Sequence, residues 1–153
     1  MTGADSGAQA LHTLSVGTAG PRIAFLHGLF GQGRNWMQIA KALAGPAGDE
    51  ARCLLVDLPN HGRSGWTDSF SYVEHADLVA EQMRAVGGSE SWSLVGHSLG
   101  GKVAMVLALR HPELVRRLVV IDISPVSSAA SQGEFQHLLS PLANLDLVVL
   151  ANR

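Results

Sequence analysis

The chain is poor in the features that cross-link, anchor or charge a protein. A single cysteine, Cys53, excludes an internal disulfide, and its place in the apolar run Cys53-Leu54-Leu55-Val56 marks it as core filling. No apolar run approaches the ~20 residues that a membrane span needs. The amino-terminal stretch from Met1 to Ala10 has neither a basic start nor an apolar segment, so it is not expected to be a secretory signal, and the cytoplasm is the default location. Charge is scarce: 11 Lys and Arg against 13 Asp and Glu give a net charge of -2, which offers no electrostatic footing for nucleic acid or an anionic membrane. No H-E-x-x-H spacing occurs, so no metal is expected. Gly28, Gly31 and Gly33 lack the G-x-G-x-x-G order of a dinucleotide fingerprint, and no phosphate loop follows a strand-like run, so no cofactor is expected. Internal repeats and low-complexity tracts are missing as well.

What is present is enough apolar material for a core. Of 153 residues 46% are hydrophobic, which suits one domain or part of one. Near-continuous β-rich runs recur at Arg22-Leu26, Arg52-Val56, Ser91-Val95 and Arg117-Ile121, and such runs suit strands buried on both faces of a parallel sheet. Leu11 to Val16 adds a candidate edge strand. Between the runs lie helical patterns. Trp36, Ile39, Ala40 and Leu43 share one face, ended by Gly45-Pro46. Tyr72, Ala76, Val79, Met83 and Val86 share another, ended by Gly87-Gly88, and a third helix runs from Ser98 to His111 and breaks at Pro112. Alternating strands and helices imply an α/β fold with a doubly wound, mostly parallel sheet and right-handed crossovers. The expected organisation is a flexible amino terminus over 1–10, a core over 11–123, and a loop-like stretch followed by a short helix at Gly133-Leu139 within 124–153.

The sharpest local signal is Gly96-His97-Ser98-Leu99-Gly100, set between the strand-like Leu94-Val95 and the helix-like stretch from Gly101. A serine on so sharp a strand-to-helix turn is held in strained backbone with its hydroxyl pushed out of the sheet, and flanking glycines let strand and helix approach without clashes. The other strand-like runs also end in polar or glycine residues: His27-Gly28, Asp57 and Asp122. Open parallel sheets place their ligand sites beyond the carboxyl ends of the strands, so these endings converge on one edge.

Taken together, His27-Gly28-Leu29-Phe30-Gly31, Asp57-Leu58-Pro59-Asn60-His61-Gly62-Arg63-Ser64, Gly96-His97-Ser98-Leu99-Gly100-Gly101-Lys102 and Ile121-Asp122-Ile123-Ser124-Pro125-Val126 resemble the α/β-hydrolase superfamily. More narrowly they are similar to a bacterial esterase branch that also includes a mitochondrial abhydrolase relative. The resemblance implies Ser98 as the nucleophile of an acyl-enzyme mechanism, with the backbone amides of Leu29 and Leu99 as the oxyanion hole. It implies carboxylic esters or thioesters as small-molecule substrates, with contacts at His27, Gly28, Phe30 and His97 and with no cofactor. Asp122 follows what would be the sixth strand of that fold, so it either orients a catalytic histidine or bonds loop amides structurally. Asp57, with Asn60, His61 and Arg63, reads as a loop-shaping group through capped amides and paired charges.

The general base is harder to place. The triad order in this fold is serine, acid, histidine, yet His12, His27, His61, His75 and His97 precede Ser98 and His111 ends its helix. The ring of His97 is expected to point away from the serine hydroxyl. His137, in the helix-like Phe135-Leu139, is a poorly anchored substitute. The simplest expectation is an amino-terminal portion of a longer hydrolase, cut within the lid region, with an exposed apolar sheet edge prone to self-association. Two other readings stand beside ester hydrolysis: a non-catalytic fragment or pseudo-hydrolase that binds an acyl ligand or a partner chain, and a cofactor-free haloperoxidase or carbon-carbon bond hydrolase of the same fold.

Overall fold

A computed structural model describes residues 10–125, nearly all of them in one compact unit that ends at Ile123. The helix expected at Gly133-Leu139, His137, the lid from Val126 on and nearly all of the flexible amino terminus lie outside the described residues.

Five strands form one sheet: β1 (Thr13–Val16), β2 (Arg22–Leu26), β3 (Arg52–Val56), β4 (Trp92–His97) and β5 (Val115–Ile121), in the order β1-β3-β2-β4-β5. β1 runs antiparallel to β3, and every other pair is parallel. The helices α1 (Met37–Ala44), α2 (Tyr72–Gly87) and α3 (Leu99–Arg110) fill the crossovers. Strand boundaries differ from the sequence expectation by a residue or two: β4 continues through His97 to the brink of Ser98, and β5 starts at Val115.

Alternation along the strands divides the core. Ala24, Leu26, Leu54, Val56 and Leu94 pack with Val79, Met83, Val103 and Leu107 of α2 and α3, whereas Phe25, Cys53 and Leu55 pack with Ala40 of α1. β2 and β3 are thus buried on both faces, as expected of parallel strands between helices. β5 departs from that expectation. Leu118, Val119 and Ile121 are 38%, 46% and 39% exposed, because among the described residues β5 pairs with β4 alone.

Local chemistry sets the helix ends. Ser71 Oγ accepts the Glu74 N–H at the start of α2, and Gly45 and Gly88, both at positive φ, close α1 and α2. The buried stripe of α1 differs from the expected one. Ala40, as expected, and Ala44 are buried, whereas Ile39 and Leu43 of the expected face are half-exposed; a 3₁₀ turn over Gly33–Trp36 precedes the α-helix. Among the described residues no helix is long and apolar enough to cross a membrane.

The order of connection matters for the site. From β2 the chain moves to β3 on one side, and from β4 it moves to β5 on the other, so the winding reverses between the adjacent strands β2 and β4. Ligand crevices in open α/β sheets form at such a reversal, outside the carboxyl ends of the strands. Here those ends carry His27 and Ser98.

Candidate active site

Ser98 links β4 to α3 with φ 50° and ψ -115°, a conformation that costs a residue with a Cβ of order 1–3 kcal/mol. Its backbone is tied down on both sides. Ser98 N–H donates to Ile121 O (2.9 Å), and Ser98 O accepts the N–H groups of Gly101 (2.9 Å) and Lys102 (3.2 Å). The flanking glycines are required by contact. A Cβ on Gly96 would fall 2.4 Å from Gly100 O, and one on Gly100 would fall 2.5 Å from the carbonyl oxygens of both Leu26 and His27. The first turn of α3 therefore rests directly on the end of β2. Leu99, as the first helical residue, has no intrahelical partner for its N–H.

The segment after β2 wraps over the same spot. Gly31 N–H closes a turn on Gly28 O (2.9 Å), with Phe30 at φ 61° in the position where such a turn takes a left-handed residue. A Cβ on Gly28 would lie 2.8 Å from His97 Nδ1 and 3.4 Å from Ser98 Cβ, so the strap that carries Leu29 runs against the serine. Beside it opens a pocket of about 320 Å³, walled by Leu29, Phe30, Asn35, Trp36, Ile39 and His97.

His27 lines this pocket, with its hydrogen-bonding atoms engaged within the fold. Its ring is buried, and both nitrogens are spent: Nε2 accepts Leu58 N–H (3.0 Å) and Nδ1 lies 2.7 Å from Gly28 O. Because the amide can only donate, Nε2 is the acceptor and Nδ1 carries the proton, so the ring is neutral. Burial lowers its pKa and the His61 charge adds to that, against the Gly28 carbonyl and Asp57, which favour the charged form. His27 thus pins the strap to the loop after β3.

Asp57 is a second pin. Its buried carboxylate accepts Gly33 N–H at Oδ1 (2.7 Å), and at Oδ2 Arg63 N–H (2.9 Å) and His12 Nδ1 (2.9 Å). Burial works to raise its pKa, but the Arg63 and Gly33 amides and the His12 ring together outweigh burial and hold it below the usual carboxylate range. Ser64 completes the weld, donating to Asp57 O (2.6 Å) and accepting His12 N–H (2.9 Å).

At the far side of Ser98, Asp122 has φ 56° and an 84% exposed side chain, 3.8 Å from His97 Nε2. Among the described residues the His97 ring is the neighbour of its carboxylate, and no hydrogen bond from a loop amide to that carboxylate is seen. The ring of His97, half-exposed, runs from Gly28 at Nδ1 to Asp122 at Nε2 and so bridges the strap and the end of β5. None of the described histidines hydrogen-bonds the Ser98 hydroxyl. His12 is held by Asp57, His61 by Pro59 O and His111 by Asp77, while His75 is buried in α2.

The family model for the alpha/beta hydrolase fold matches residues 21–146. The chain belongs to that family. It is 46% identical over 108 residues to the sn-1-specific diacylglycerol lipase ABHD11 of Mus musculus, covering 71% of this chain and 34% of the relative. It is 35% identical over 120 residues to an esterase of Mycobacterium tuberculosis, covering 77% of this chain and 38% of the relative. A solved marine microorganism esterase superposes with a TM-score of 0.78 at 33% identity, over 90% of this chain and 52% of that one. The chain therefore spans about a third of the length of these sequence relatives.

For an alpha/beta hydrolase, the sequence pattern located the elbow and the strap but missed two of the partners that hold Asp57. His12 lies in an edge segment with no motif, and Gly33 reads as one more loop glycine. The available signal was chemical: a carboxylate directly after a buried strand, at Asp57, must find donors. Among the described residues no group of His, Cys, Asp and Glu is arranged to hold a metal ion.

Proposed function

We propose that this chain carries the nucleophile and oxyanion half of a serine hydrolase that cleaves carboxylic esters, thioesters included. The observation that carries the reading is Ser98 itself: a non-glycine residue at φ 50°, on a turn that two glycines allow, beside an unspent helix N-terminal amide and a glycine strap. In the proposed reaction Ser98 Oγ bonds to the carbonyl carbon as its proton passes to a base. The carbonyl oxygen takes up negative charge against the Leu29 and Leu99 amides, and the alcohol leaves with that proton. Water then hydrolyses the acyl-enzyme. Losing one donor of such a hole costs about 3 kcal/mol of transition-state stabilisation. In this reading the base is a histidine that follows the acid in the chain, in keeping with the usual triad order of this fold. Relatives described as a lipase and as esterases support the substrate class.

A fluorophosphonate probe tests the nucleophile. Stoichiometric labelling of Ser98, abolished by Ser98→Ala, is the expected result. A folded protein that takes no label would overturn the reading in favour of a non-catalytic ligand-binding chain.

A further inference from the structure

We propose that the pocket beside Ser98 receives an uncharged apolar chain of the ester, with Phe30 and Ile39 as its specificity-determining walls. This rests on the ester-hydrolase reading above and adds to it the chemistry and size of one substrate arm.

Position comes first. The Gly28 and His97 wall of the pocket is also the surface against which Ser98 Cβ lies, so a group in the pocket is one strap away from the serine. Composition comes second. No Lys, Arg, Asp or Glu lines it, so a charged headgroup would meet no fixed opposite charge. Of its polar side chains, Asn35 Oδ1 is spent on Gln32 N–H (3.1 Å) and the His27 nitrogens on Gly28 and Leu58, Trp36 Nε1 is buried with no partner among the described residues, and His97 Nε2 lies 3.8 Å from Asp122.

The third observation is what the fold does with its large side chains here. Ile39 sits at a position that helical spacing would bury, yet it is 48% exposed at the pocket wall. Phe30 is 75% exposed and held at φ 61°, a backbone setting that is a genuine outlier for a bulky residue. Strain of that kind persists where the surroundings enforce it and concentrates at ligand sites. Two large apolar groups turned toward one cavity, one of them at a conformational cost, fit an apolar ligand.

Size sets the limit. At roughly 30 Å³ per water-sized group, close to that of a methylene, 320 Å³ holds about ten groups when completely filled, so a loosely held chain of about four to eight carbons fits. Each methylene that enters contributes at most about a fourfold gain in binding.

The chain can belong to the acyl or to the alcohol part of the ester, and paired probes separate the two. The first measurement needs no reaction: amide NMR during titration with octan-1-ol. Shifts should concentrate on Leu29 to Asn35, equally in the wild type and in Ser98→Ala. Ile39→Trp, at a half-exposed position where the larger ring fills the pocket without entering the core, should weaken binding about tenfold, and Phe30→Gly should weaken it by removing a wall. Octanol that moves only other amides, or that binds Ile39→Trp as well as the wild type, overturns the proposal.

The second measurement uses nitrophenyl phosphonates, in which the Ser98 Oγ–P bond forms and nitrophenolate leaves. One series lengthens the P-alkyl group from ethyl to octyl, mimicking the acyl chain, and the other lengthens the O-alkyl group, mimicking the alcohol. One series should accelerate with length and then level off, and Ile39→Trp should flatten that rise. Labelling that ignores length in both series overturns the subsite. If no member labels Ser98, the ester-hydrolase reading falls while the octanol titration still decides the pocket.

Discussion

Replacing Asp57 should destabilise this protein more than its distance from the serine suggests. The buried carboxylate holds two backbone N–H groups, Gly33 and Arg63, and the His12 ring. Alanine leaves the buried Gly33 amide without an acceptor, at about 1–3 kcal/mol for an orphaned donor, while the part-buried Arg63 amide can turn to water and adds less. His12 is partly exposed and can turn to water, so it adds little. Asparagine is isosteric with the native side chain, but one end of an amide donates and meets a donor, so Asp57→Asn should cost about 1–3 kcal/mol. Equilibrium urea unfolding reads this directly: with a slope near ~2 kcal/mol per molar, the midpoint should fall by about 0.5–1.5 M in both variants. Hydrogen exchange adds a local signature, with protection lost first at the Gly33 and Arg63 amides. A midpoint for Asp57→Asn within about 0.3 M of the wild type would refute the reasoning. The pH dependence has a definite sign. The folded-state pKa of Asp57 is depressed, so its contribution is fully present above the unfolded value near ~3.9 and is lost as pH falls through the folded value.

Three further outcomes rest on single observations. Ser98→Gly should be more stable than Ser98→Ala by about 1 kcal/mol, because glycine alone relieves φ 50°, while both lose labelling; equal midpoints would count against strain at the elbow. Gly100→Ala should cost about 1–3 kcal/mol in a thermal or urea melt, since its Cβ meets two backbone oxygens at 2.5 Å that cannot swing aside, and an unperturbed melt would contradict that contact. His75 is fully buried, neither nitrogen has a partner among the described residues, and burial, then the His61 charge, lower its pKa against a smaller opposing effect from Glu74. With the folded pKa below the unfolded ~6.5, stability is held above that pH and falls as pH drops toward the folded value, so His75→Leu should flatten the decline; an equal slope in both proteins argues otherwise.

Much of the fold was legible in the chain because parallel strands between helices need apolar residues on both faces, and Ile23-Ala24-Phe25-Leu26 and Cys53-Leu54-Leu55-Val56 have them. The exposure of Ile39 and Leu43 on α1 was not, because hydrophobic spacing marks a helix face but not how much of it the sheet covers. Neither was the exposure of β5, whose apolar run is indistinguishable in sequence from that of a strand paired on both sides.

The sequence alone determined the elbow. Glycines at 96 and 100 around a serine, between a strand-forming and a helix-forming run, permit one tight geometry, and backbone sterics enforce it locally. Only the tertiary structure decided how His27, Asp57 and His97 are used. Each is a side chain whose role depends on which loop amides arrive beside it from other strands: His27 is consumed by Leu58, Asp57 by Gly33 and Arg63, and His97 runs between Gly28 and Asp122. Hydrogen-bond partners far apart in the chain have no sequence period, so folding assigns them.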